Sequence, residues 1–204
     1  MRTRISALAL IAVLALALPS AAQNPPSEYA TLLASLKAGN TNIDYARLRI
    51  SYMDSPEYKQ AKDTSNAEKA MWDALNAKDF PKALKNAEEV LDSEYVNIDA
   101  HFVAYAANRE MGAADKAEFH RAVFRGLVDS IRNSGDGLSP KTAWVVITVH
   151  EEYVILRVLG MRPHSQSLIS KDGHNYDEMT VTDENGKDHT FYFNVDIPFK
   201  HYGV

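Results

Sequence analysis

The chain has 204 residues, 27 Asp and Glu against 22 Lys and Arg for a net charge of -5, and no cysteine. An acidic surface of this kind disfavours nucleic acid and anionic membranes as partners. Without cysteine there is no disulfide staple, thiol nucleophile or lipid acceptor, so stability rests on an apolar core, which a chain of this length can build.

Met1-Arg2-Thr3-Arg4 carries two positive charges, and Ile5 to Leu18 is an apolar run broken only by Ser6. These are the basic and apolar regions of a secretory signal. The run falls short of the roughly 20 residues a membrane-crossing helix needs. Pro19 ends it, and Ser20-Ala21-Ala22 supplies the small residues of a cleavage site before Gln23. Residues 1–22 are therefore expected to be removed, leaving 23–204 as one exported domain in the periplasm or outside the cell. Losing Arg2 and Arg4 takes the net charge to about -7, and no membrane association is expected afterwards.

Residues 27–133 read as helical. Ser27 is placed as an N-cap, with Tyr29, Leu32, Leu33 and Leu36 at helical spacing up to Gly39. Asn42 or Asp44 caps a second helix carrying Ile43, Tyr45, Leu48, Ile50 and Tyr52, which Ser55-Pro56 stops. Further on, Lys78-Asp79-Phe80-Pro81-Lys82-Ala83 and Gly112-Ala113-Ala114-Asp115-Lys116-Ala117 precede similar helices, and Ala83 and Ala117 lie 34 positions apart. That is the tetratricopeptide period, with hairpins expected over 66–93 and 97–131. Trp72 and Leu75 miss that repeat's aromatic and leucine positions, so the hairpins are read as tetratricopeptide-like.

Ser134-Gly135-Asp136-Gly137 and Ser139-Pro140 break the helical pattern, and 139–204 reads as strand-rich. Ala143 to Val149 is expected to be a buried strand, Glu151 to Leu159 a short helix closed by Gly160, and Gln166 to Ile169 a short strand. The hairpin from Tyr176 to Val195 turns at Glu184-Asn185-Gly186. A three-residue loop with Gly186 left-handed pairs Asp183 with Lys187 and aligns Met179 and Val181 with Phe191 and His189, whereas a two-residue turn opposes like charges. The fold class is α+β: N-terminal helical hairpins packed on a small, mainly antiparallel C-terminal sheet.

The usual enzyme signatures are missing. His150-Glu151-Glu152 lacks the second histidine of the zinc-protease motif, since position 154 is valine. His164, His174, His189 and His201 crowd the final third without ligand spacing, so no metal site and no cofactor are expected. Asp136 reads first as a turn residue, and Glu151 and Glu152 as acids favoured at a helix start. Tyr52, Tyr58, Met71, Trp72, Phe80, Phe102, Tyr105 and Met111 read first as core and otherwise as a peptide groove, while His101, Tyr105 and Asn108 share one helix face as a polar stripe.

The series Asp44-Tyr45-Ala46-Arg47-Leu48-Arg49 with Tyr52, Ser55 and Tyr58, Ser130-Ile131 running to Ser134-Gly135-Asp136-Gly137, Glu151-Glu152-Tyr153 and Tyr192-Phe193 resembles an uncharacterised exported bacterial family, domain of unknown function 4919. The resemblance implies one exported domain, supplies no activity, and raises Asp136, Glu151, Glu152, Tyr153 and Asp177 as candidates. The leading expectation is a non-catalytic module binding a peptide or protein, with His101, Tyr105, Asn108 and Tyr153 as binding candidates. The alternative is a hydrolase-like or metal-dependent enzyme in which Asp136, Glu151, Glu152 and Asp177 meet where helices join sheet. No oligomeric state is signalled.

Overall fold

The computed structural model describes residues 25–202, so the signal segment expected at 1–22 lies outside the described residues. The helical part runs α1 (Glu28–Lys37), α2 (Tyr45–Met53), the single turn α3 (Pro56–Lys59), α4 (Ser65–Asn76), α5 (Phe80–Ser93), α6 (Ile98–Glu110) and α7 (Ala114–Arg132). Side chains of Ser27, Asp44, Ser55, Asp79 and Asn97 accept a backbone N–H at the starts of α1, α2, α3, α5 and α6. Each such cap is worth about 1 kcal/mol. Ser55-Pro56 stops α2 as expected and also starts α3, because proline is tolerated in a first helical turn.

Successive helices from α4 to α7 pack on one another as two hairpins. Ala67, Ala74, Ala83, Ala87, Ala100, Ala104 and Ala107 are buried between α4, α5 and α6, and these small residues let the helix backbones come close. Trp72 stacks on Phe102 with ring centroids 5.8 Å apart. A second, larger core joins Leu36, Leu48, Tyr52, Leu127 and Ile131 to the sheet and to α8 (Val149–Val158).

The sheet has the order β1-β4-β3-β2, from β1 (Trp144–Val145), β2 (Arg162–Lys171), β3 (His174–Thr182) and β4 (Asp188–Asn194), followed by α9 (Asp196–Tyr202). β2, β3 and β4 are antiparallel, and β1 pairs parallel to β4. Met179, Val181, Phe191 and Phe193 face the core, while Thr180, Thr190 and Tyr192 alternate away from it. The β3–β4 loop is the three-residue one, with the Asp183 N–H donating to the Lys187 carbonyl at 2.9 Å, Gly186 at φ +80° and Met179 opposite Phe191.

Two expectations need correction. The strand at 143–149 is only Trp144–Val145, because its partner β4 ends at Asn194 and the Ile147 N–H donates to the Glu151 carboxylate instead of to a neighbouring strand. Val146 and Ile147 are buried in the link that bends into the helix, and Val149 already belongs to α8. The strand expected at 166–169 extends over Arg162–Lys171, since the Asp172-Gly173 turn, with φ of 52° and 82°, folds it back along β3.

Candidate functional site

The chain gathers its titratable groups around α8. Four consecutive residues of a helix point about 100° apart, so His150, Glu151, Glu152 and Tyr153 reach different surroundings.

His150 lines a cleft of about 380 Å³ bounded by Tyr58 of α3, Glu68 of α4, Glu94 after α5, Ile98 of α6 and Val154 of α8. The His150 Nε2–H donates to Asp99 Oδ2 at 3.1 Å, leaving Nδ1 as the ring atom available to a ligand. Asp99 is 2 % exposed and also pairs with Arg157, whose guanidinium lies over the Trp72 ring. The bond to Asp99 holds the imidazole pKa above its ordinary value against the opposing effect of burial. Across the cleft, burial pushes the Glu94 carboxyl up to about 7, with Glu151 and Glu68 adding repulsion and the Asn97 amide, donating at 3.3 Å, opposing it. Among the described residues neither Glu94 nor Glu68 has an ion-pair partner. Lys62 stands at the exposed rim.

Glu151 forms the cleft's inner wall and is neutralised. Arg49 Nε and Nη2 donate to its two oxygens at 2.8 and 2.5 Å, and Arg49 also donates to Ser130 Oγ and the Val145 carbonyl. This bidentate pair joins α2, α7, β1 and α8.

Glu152 turns toward the sheet and is fully buried. Asp177 stands in the core-facing row of β3 with Met179 and Val181 and is 7 % exposed. One atom serves both carboxyls: Gln166 Nε2 donates to Asp177 Oδ2 at 2.6 Å and to Glu152 Oε2 at 3.3 Å, while Tyr153 donates its hydroxyl to Gln166 Oε1 at 2.6 Å. Glu152 Oε1 is buried with no hydrogen-bond donor. Burial, then the Asp177 charge and a hydrogen bond to Asp177 that only the protonated acid can make, push the Glu152 carboxyl up to about 9.

The four candidate carboxylates thus separate. Glu152 and Asp177 meet, Glu151 is committed to Arg49, and Asp136 is an exposed turn residue accepting from the Thr142 hydroxyl at 2.5 Å and the Leu138 N–H at 2.9 Å, which hold its pKa low. Of the binding stripe, His101 and Asn108 are buried: the His101 Nε2–H donates to the Tyr95 carbonyl at 3.0 Å, His101 Nδ1 meets His120 Nδ1 at 3.0 Å, and Asn108 donates to the Ala104 carbonyl. Tyr105 is half-buried and accepts from Arg109. Tyr52 and Tyr58 line the cleft, whereas Met71 is core. His164, His174, His189 and His201 each lie beside their own partner, Asp188, Asp196, Asp183 and Asp54. No three His, Asp or Glu among the described residues form a group able to hold a metal ion.

Nothing in the sequence singles out Glu68, Glu94 or Asp99, and Gln166 stands there only as the start of a short strand. Asn97 three residues before Ala100 marks a helix start that buries Asp99 in its first turn, and Lys171-Asp172-Gly173-His174 announces the hairpin that brings Gln166 over Asp177. No helix among the described residues is long and apolar enough to cross a membrane. No curated protein and no solved structure matches the chain. A family model does, over residues 19–203, and the chain belongs to that family, a domain of unknown function (DUF4919).

Proposed function

We propose that the protein is an exported, non-catalytic binding module of the periplasm or cell exterior, which takes a basic side chain of a peptide or protein partner into the cleft between the helical hairpins and α8. The observation that carries this reading is Glu94: a half-buried carboxyl beside Glu68 and Glu151, hydrogen-bonded to the Asn97 amide and in no ion pair, with His150 across the cleft and Lys62 at the rim as the cations near it. An ammonium or guanidinium entering the cleft would supply the missing charge, and Tyr58, Val96, Ile98 and Val149 would cover its aliphatic stem. The cleft adjoins a groove of about 590 Å³, rich in acids through Glu57, Glu88, Glu89 and Asp92, which gives a basic segment room to continue.

The test is calorimetric titration with a Lys- and Arg-containing peptide and with its Glu-containing counterpart. The basic peptide binds, and Glu94→Gln weakens it at least tenfold. Equal affinity for both peptides, or affinity unmoved by Glu94→Gln, rejects the reading. Export is tested by N-terminal sequencing of the protein recovered from its own cell, with Gln23 expected first.

A hydrolase-like reading has one specific support, the Asp99–His150 pair facing a carboxyl that titrates near 7, which would serve as base and acid on a bound ester or amide. Hydrolysis of a chromogenic ester that is lost in His150→Gln would favour it over simple binding.

A further inference from the structure

We propose that Glu152, Asp177 and Gln166 form a binding site for a divalent cation of the oxygen-preferring kind, Ca²⁺ before Mg²⁺, separate from the cleft. Two carboxyls from different elements, α8 and β3, converge on a single atom, Gln166 Nε2, at 3.3 and 2.6 Å. Among the described residues neither has an ion-pair partner, and Glu152 Oε1 is sealed from water without a donor. A buried carboxylate pair is costly unless a proton or a cation lies between its members.

Gln166 is the group that can admit either occupant. With its NH₂ turned inward it donates to both acids, as observed, while Tyr153 donates to its oxygen. A half-turn of the amide presents Oε1 inward and the NH₂ to the Tyr153 hydroxyl, which then accepts. Oε1 then takes the point Nε2 now occupies, and with Glu152 Oε2 and Asp177 Oδ2 it forms a triangle of oxygens that one cation can cap. Gln166 is exposed on the outermost strand, so water can complete the shell from that side. Irregular geometry of this kind suits Ca²⁺ better than the strict octahedron of Mg²⁺.

The test is calorimetry and thermal unfolding of the purified, chelator-treated chain with Ca²⁺, Mg²⁺ or Mn²⁺ chloride. One Ca²⁺ per chain is expected, at a dissociation constant of about 0.1–1 mM, with unfolding shifted upward by a few degrees at saturating Ca²⁺. Glu152→Gln and Asp177→Asn abolish both effects, and Glu94→Gln in the cleft leaves them intact. Should either core variant fail to fold, Gln166→Leu on the exposed strand reads the same loss, and Gln166→Glu tightens binding. A folded chain that binds none of the three ions, or Ca²⁺ binding that survives Glu152→Gln, Asp177→Asn or Gln166→Leu, overturns the proposal.

Discussion

Arg49 on α2 and Glu151 on α8 stand 102 positions apart in the chain and meet through two hydrogen bonds of 2.8 and 2.5 Å, with side chains 2 % and 6 % exposed. Removing one member strands the other charge in the interior. Arg49→Met is expected to destabilise the fold by about 3–5 kcal/mol in urea unfolding. The double variant Arg49→Met/Glu151→Leu recovers part of that loss: no buried charge remains, but the Ile147 N–H is left without its acceptor.

Glu152 gives a pH signature in metal-free buffer. Its folded-state pKa is raised to about 9 from an ordinary 4.5, so the unfolded chain releases this proton first. The penalty is absent below about pH 4.5, grows as pH rises and levels off above 9. Glu152→Gln should therefore stabilise the protein at pH 8 and change little at pH 4. Chemical unfolding at both values measures the difference, and a variant weaker at pH 8 contradicts it.

The His101–His120 contact acts in the opposite direction. Burial lowers His101 to about 3, with the His120 charge adding to it, and lowers His120 to about 4, so the unfolded chain binds protons below about 6.5 that the folded chain refuses. Stability is full above about 6.5 and falls as pH drops toward 4. Replacing His120 with Gln keeps a polar partner for His101 and removes part of the loss, read as a smaller drop in urea midpoint between pH 7 and 4.5.

Affinity of the cleft for a basic peptide should climb between pH 6 and 8. Glu94 becomes ionised as pH passes about 7, and His150, held above its usual pKa by Asp99, sheds its repelling charge in the same direction. Glu151 adds little to the change because Arg49 neutralises it. Glu94→Gln flattens the profile, and calorimetry at three pH values reads it.

What could be read from the residues followed the range of each interaction. The Asp183–Lys187 loop and its register were legible because turn chemistry and a period-two pattern are local, and the caps at Ser27 and Asp44 for the same reason. Val146 and Ile147 misled because their burial reflects the core around them, whereas strand pairing needed a neighbour that β4 no longer supplies. Polar β2 shows no alternation, being exposed along almost its whole length, and its true signal was the Asp172-Gly173 turn. For the site, Glu152 and Asp177 stood out as carboxylates, but their meeting depends on a strand register and a helix rotation set far away. Asp136 stood out equally, and its oxygens are used up within its own turn.

The position of α8 has a consequence for how the two halves of the molecule communicate. Its first turn holds the cleft through His150, the interior ion pair through Glu151 and the sheet carboxyl through Glu152. The helix is a spindle, with one angular setting satisfying all three. A one-residue insertion after Tyr153 would rotate these three by about 100° against the buried Val154, Ile155 and Leu156 and disconnect all three together, and a twist imposed at the cleft would be carried through the same turn toward the Glu152–Asp177 pair.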